Sequence, residues 1–159
     1  MKSNAPQSYV CPICLGNQGI ESKDTLLKQD DLVFRDDLVS VWINSFWIKG
    51  NEGHIIIVPN KHFENIYELP DEVGHRIFEV SKLMSKNMKK AYRCNGLTIR
   101  QNNEPAGDQH AFHYHLHIFP RYDGDNFNIE LTKSFLSDSQ DRTQYTQKLQ
   151  SLLTKENHD

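Results

Sequence analysis

Residues 112–118 alternate in character: Phe112, Tyr114, Leu116 and Ile118 are bulky and apolar or aromatic, and His113, His115 and His117 fill the positions between them. A period of two is the strand period. The stretch therefore predicts a β-strand with its imidazoles on one face and its apolar side chains on the other. Same-face neighbours on a regular strand stand about 6.5–7 Å apart, twice the strand rise. Imidazole has a resting pKa close to neutrality, so such a row suggests nucleophilic, proton-transfer or ligand chemistry. A single histidine in a strand is ordinarily structural. Three in alternation, closed by Pro120-Arg121, point to a site. The rival arrangement is a metal centre of three histidines, which catalytic zinc accepts, but the first and fifth positions of a straight strand reach one ion only with difficulty.

A chain of 159 residues fits one domain with a single core. The net charge of -3, without a basic block, argues against nucleic-acid binding by phosphate neutralisation and leaves room for a local nucleotide pocket. No apolar run approaches a membrane span. Residues 1–8 are polar, lack the apolar core of a secretory signal and are expected to form a flexible tail. Cys11-Pro-Ile-Cys14 is followed by Gly16, and Cys94 stands far off. An odd count and no export signal suggest a reducing cytoplasm, with thiols free or bound to metal. Cys-x-x-Cys on a tight knuckle is the usual half of a zinc site, which histidines would have to complete. The redox use of the motif places it at a helix start after a strand, and no strand precedes Cys11.

The remaining patterns give the elements. Residues 32–35 and 38–44 read as strands joined at Asp36-Asp37. His54 precedes a continuous apolar run ending at Pro59, a strand buried on both faces, and reads as the cap of that strand. Val73, Ile77, Val80, Met84, Met88 and Ala91 form one stripe of a helix opened by Pro70, Asp71 and Glu72 and stopped by Asn95-Gly96. Residues 97–101 are a strand expected to pair antiparallel with the histidine strand across a loop at 102–109. After Gly124 the pattern weakens until a C-terminal helix at 138–155, with Tyr145, Leu149, Leu152 and Leu153 on one side. Strands with a central and a terminal helix indicate an α+β fold.

Three of these segments together resemble a known family. His113-x-His115-x-His117, two apolar residues and Pro120-Arg121 are similar to the histidine triad (HIT) motif. Asn102-Asn-Glu-Pro-Ala-Gly-Asp-Gln109 resembles the phosphate-binding loop before it, and Gly53 to His62 resembles the family's other characteristic strand and its exit. The likeness runs from about Cys11 to Tyr122. It implies a HIT-like fold, a mostly antiparallel five-stranded sheet with a central helix packed on it and a C-terminal helix. The domain would span 9–159, with its core at 11–122 and an extension at 123–159, and would pair into a homodimer.

The resemblance also implies a chemistry. The substrate would be a purine nucleotide, and His115 the nucleophile on the α-phosphorus, forming a covalent nucleotidyl-histidine. His117, Asn102 and Gln109 would contact phosphate, Gly107 would let the backbone approach it, Asn44 would bond the ribose, and His54, where it does not simply cap its strand, would pack near the base. Cys11, Cys14, His62 and His113 match the ligands of a structural zinc in one branch of the family, so His113 has two claims on it, zinc ligation and, as a member of the catalytic row, orientation of its neighbours. No organic cofactor is implied. Dinucleoside polyphosphate hydrolysis is the activity favoured. Nucleoside phosphoramidase activity is the alternative within the family, set back because His110 stands where some members carry serine or threonine one step later. Asp108 also separates Gly107 from Gln109, where many members place glycine directly before the glutamine. A zinc-stabilised nucleotide-binding module without turnover is the alternative of another class.

Overall fold

Apolar residues at every position of one strand require cover on both faces, and the architecture provides it. A computed structural model describes residues 3–22 and 25–156; residues 1–2 of the expected tail, residues 23–24, which the sequence places in a polar loop over 21–31, and residues 157–159 lie outside the described residues. Strand β1 (Leu32–Arg35) turns at Asp36 into β2 (Val39–Ile43), where the Asp36 carboxylate accepts from the Leu38 and Val39 amides at 2.9 and 2.8 Å. Strand β3 (Phe46–Trp47) is short, and β4 (Ile55–Pro59) is buried throughout. Helix α2 (Asp71–Tyr92) leads to β5 (Gly96–Gln101) and then β6 (Leu116–Arg121). The main sheet has the order β1-β2-β4-β6-β5, antiparallel at every pairing.

Register assigns each side chain to a face. Ile43, Ile55, Ile57 and Ile118 point towards α2 and join Ile77, Val80, Met84 and Met88 in the main core. Trp42, Ile56 and Val58 point the other way, towards Ile13 of the short helix α1 (Pro12–Asn17) and Leu27. Full burial of each such aliphatic side chain contributes about 1.5–3 kcal/mol, so β4 anchors both layers. Helix α2 places acidic residues in its first turn and Lys89 and Lys90 in its last, as the helix dipole favours. It ends at Tyr92, before the expected stop at Asn95-Gly96. Arg93 takes the left-handed conformation (φ 54°), and Lys89 Nζ donates to the Cys94 and Asn95 carbonyls at 2.6 and 2.7 Å.

The C-terminal segment carries more order than its pattern suggested. Helix α3 (Phe127–Glu130) leads to β7 (Phe135–Leu136), which pairs with β3 to make a separate two-stranded ribbon. Helix α4 (Ser139–Glu156) then seats Leu149 in the main core. Arg142 on α4 donates to Asp31 at 2.8 Å, with both side chains sealed from solvent. The described part of the expected tail is also held: Ser3 Oγ bonds Glu64, and the Asn4 amide donates to the Glu64 carboxylate at 2.7 Å.

Candidate functional site

The histidine row is not one continuous strand, a correction to the simple alternating picture. Regular strand geometry starts at Leu116, and Tyr114 instead bonds the Phe63 carbonyl through its amide at 2.6 Å. His113 is fully buried, with its ring 5.0 Å from that of His62. His115 and His117 remain together, ring centroids 4.9 Å apart, closer than the repeat of a regular strand.

The two rings differ in their bonding. His115 Nδ1 lies 2.7 Å from the His113 carbonyl, which can only accept, so Nδ1 carries the proton and Nε2 keeps its lone pair. That ring lines a cleft of about 740 Å³ together with His117, Asn44 and Asn102. His117 stacks on Phe119 (5.3 Å, 18°), and its Nδ1 is buried without a hydrogen-bond partner among the described residues. Burial pushes the pKa of His115 down and holds that of His117 well below the ordinary imidazole range, so both rings are neutral near pH 7. Neutral imidazole is the nucleophilic form.

His54 lines the cleft, where the favoured reading of the sequence makes it a strand cap. It is not a strand cap. Its ring is buried 5.5 Å from His117 and 4.3 Å from Phe119, and Asn44 Nδ2 donates to its Nε2 at 2.6 Å. Burial pushes its pKa down to about 3. The apolar walls come from Ile13, Leu27, Ile56 and Phe46, with Leu131 and Thr132 of the C-terminal segment closing one side.

The loop residues divide. Asn102 lines the cleft, and its Nδ2 donates to the Gly107 carbonyl. Gly107 itself is held in a helical turn away from the cleft lining; the left-handed residues of this loop are Glu104 (φ 62°) and Asp108 (φ 64°). The Gln109 carboxamide is buried and bonded within the protein: Nε2 donates to the Glu64 carbonyl at 2.6 Å, and Oε1 accepts from the Glu104 amide at 2.7 Å. It braces the loop and is not among the residues that line the cleft.

A second cluster forms behind the histidine row. The ligand atoms of Cys11, Cys14, His62 and His113 lie within 4.8 Å of one another. Cys11 Sγ and Cys14 Sγ are each 3.4 Å from His113 Nδ1, and Cys14 Sγ is 3.4 Å from His62 Nδ1. Zinc–sulfur and zinc–nitrogen bonds of about 2.3 and 2.05 Å at tetrahedral angles place the donors about 3.5 Å apart, so the donor set fits. His113 Nε2 donates to the Pro59 carbonyl at 3.0 Å, which leaves the Nδ1 lone pair facing the sulfurs. Burial pushes the His113 pKa down to about 4 and, with Cys11 adding to the effect, the Cys14 pKa up to about 12.

Comparison with known proteins agrees with the fold. The chain is similar to the Bacillus subtilis protein called Protein hit, 32% identical over 96 residues that cover 60% of this chain and 65% of that one. The match thus spans just under two thirds of that relative's length. In fold it is similar to a zinc-bound histidine triad family protein from Mycobacterium smegmatis, with a TM-score of 0.74 at 21% identity, covering 93% of this chain and 96% of that one. It is also similar in fold to the Plasmodium falciparum diadenosine triphosphate hydrolase solved with Cyclomarin A, with a TM-score of 0.71 at 15% identity, covering 98% and 90%. The HIT domain pattern itself matches residues 26–124, most of the chain, and the chain belongs to the HIT domain family.

Proposed function

We propose that the chain is a nucleotide hydrolase, acting on dinucleoside polyphosphates through a covalent nucleotidyl-His115 intermediate. The observation that carries this reading is the His115 Nδ1 bond to the His113 carbonyl, 2.7 Å, on a ring lining the cleft. It holds the tautomer whose Nε2 can attack phosphorus. In the first step a P–N bond forms, the P–O bond to the leaving phosphate breaks, and that phosphate departs with the electron pair. Water then attacks the same phosphorus, the P–N bond breaks back to imidazole, and nucleoside monophosphate and a proton are released. Two displacements let one set of donors serve both steps. His117 and Asn102 line the cleft as the phosphate donors of this reading. Asn44, at the end of β2 and bonded to His54, is suited to sugar hydroxyls, and the apolar walls suit a purine.

In the same reading Cys11, Cys14, His62 and His113 hold one structural zinc. That ion would tie α1 to the segment that carries His115, and it takes no part in the displacement. A reducing cytoplasm would keep both sulfurs available; among the described residues no helix is long and apolar enough to cross a membrane. Strand β5 is a sheet edge flanked by exposed Ile99 (53%) and Phe78 (67%), which supports a homodimer paired along this edge.

The test is turnover of diadenosine tri- and tetraphosphate, adenosine 5′-phosphoramidate and adenylyl-lysine by the wild type and His115→Ala. The expected result is preferred cleavage of the anhydrides, a fall of about 10³-fold or more in the variant, and an adenylyl adduct on His115 in acid-quenched wild type. Equal turnover by both proteins would refute the nucleophile. Turnover of the phosphoramidate alone would reassign the leaving group.

A further inference from the structure

We propose that Arg100 and Asp108 form a subsite at the mouth of the cleft for the first phosphate of the leaving group, with the carboxylate occupying the guanidinium until that phosphate arrives. This deepens the nucleotidyl-histidine reading and rests on it. The register of β5 on β6 sets Arg100 directly opposite His117. Opposed residues share a sheet face, so the guanidinium and the imidazole leave the sheet on the same side, and both line the cleft. The two are near enough for the arginine charge to act on the His117 ring.

Asp108 is the sole carboxylate among the described residues lining this cleft; the remaining polar lining is carboxamide, imidazole and hydroxyl beside the Arg100 guanidinium. It meets Arg100 at 2.9 Å, Oδ2 to Nη2, with its own side chain 72% exposed and that of Arg100 32% exposed. A pair this open to water is weakly held. A phosphate offers the guanidinium two oxygens for a bidentate, charge-assisted contact. The carboxylate is therefore readily displaced by the ligand that the cleft would take. It sits in a left-handed turn (φ 64°) outside the regular strand, on a loop braced independently by Gln109. Release of the pair leaves that brace in place.

The chemical consequence is selectivity for the leaving group. A phosphoanhydride leaving group brings its own anion to Arg100. A neutral amine, as from a phosphoramidate, brings none. The subsite thus favours polyphosphate substrates without touching the nucleoside or the attacked phosphorus.

Opposite effects from the two partners of one ion pair distinguish this role from a structural one. The quantity to measure is the ratio of kcat/KM for diadenosine triphosphate to that for adenosine 5′-phosphoramidate. Arg100→Gln should lower the ratio by about tenfold or more, the loss expected for one charged phosphate contact. Asp108→Asn, which suits the left-handed backbone, should raise it by roughly two- to fivefold, since it removes a weak competitor. An unchanged ratio in Arg100→Gln, or a fall in both variants, overturns the proposal. Calorimetric affinities for α,β-methylene-ADP and AMP give a readout that needs no turnover. The wild type should prefer the diphosphate, and Arg100→Gln should lose that preference. Should the wild type cleave neither substrate, the hydrolase reading fails while this comparison still decides the subsite; retention of the preference in Arg100→Gln overturns it.

Discussion

Gly53 is the position where one added methyl group should do the most damage to the frame around the site. Its backbone is left-handed (φ 76°), and a Cβ built there would stand 2.1 Å from Tyr145 Cδ1 and 2.4 Å from Cε1. The Tyr145 ring has little room to retreat. It packs edge-on against Trp47 at 5.1 Å and Tyr92 at 5.3 Å, and Tyr92 Oη donates to the Gly53 carbonyl at 3.2 Å. In Gly53→Ala the left-handed conformation costs about 1–2 kcal/mol. Forcing the ring back through a packed corner costs about 1–3 kcal/mol more. The sum, about 2–5 kcal/mol, is a large share of an ordinary domain's total stability. Equilibrium urea unfolding should show it as a midpoint lowered by about 1–2.5 M for a slope near 2 kcal/mol per M. The two contributions separate in a Tyr145→Ala background, where the methyl group meets open space and only the backbone cost remains. A loss below about 1 kcal/mol in Gly53→Ala, or the same loss in both backgrounds, would refute the steric reasoning.

Other perturbations have equally definite signs. Arg142→Met leaves the Asp31 carboxylate, whose side chain has 0% exposure, without its cation, and should cost about 3–5 kcal/mol at pH 7. Because burial already raises the Asp31 pKa in the folded state, that penalty should shrink between pH 7 and pH 5 in paired urea titrations. Buried His54, with its folded pKa down at about 3, leaves the unfolded chain to take up a proton first below about pH 6.5. Stability should therefore fall as the pH drops from about 6.5 towards 3, with His54 contributing about 2 kcal/mol of the loss at pH 5, and His54→Gln should flatten the urea-midpoint profile by that amount. Purified protein should carry about one zinc per chain, and Cys14→Ser should lose it, with a lower thermal midpoint, as measured by metal analysis and calorimetry.

The pattern that announced the sheet was the part most directly governed by local rules. An Ile-Ile-Ile-Val run closed by proline fits a strand covered on both faces, and the stripe from Val73 to Met88 fits one side of a helix. The paired cysteines and the histidine row were legible for a similar reason, since few other uses explain such residues at such spacings. What stayed hidden depends on distant partners. A histidine before an apolar run looks like a cap; the pairing of Ile55 with Ile118 is what brings His54 to Phe119 and His117. The β3–β7 ribbon joins two-residue strands far apart in the chain, too short for any period to show. A carboxamide such as Gln109 can serve a ligand or a loop with the same atoms, and its bond to the Glu64 carbonyl depends on a residue 45 positions away.

The break in the histidine row is what allows neighbouring residues to take different work. On a continuous strand the three rings would share one face and one environment. Here the chain reaches regular geometry only at Leu116, so His113 turns towards α1 while His115 and His117 stay on the cleft. His113 is bound at both ends of its ring, by the Pro59 carbonyl on one side and the sulfurs on the other. Its own carbonyl then receives the His115 Nδ1 proton. A single peptide unit therefore links the cysteine cluster to the tautomer of the ring that faces the cleft. Loosening the cluster would free that carbonyl and the orientation of His115 with it, although none of the cluster's atoms needs to touch a substrate. If the cluster holds zinc, its loss should therefore lower stability and disturb the orientation of His115 together, through the one peptide unit of His113.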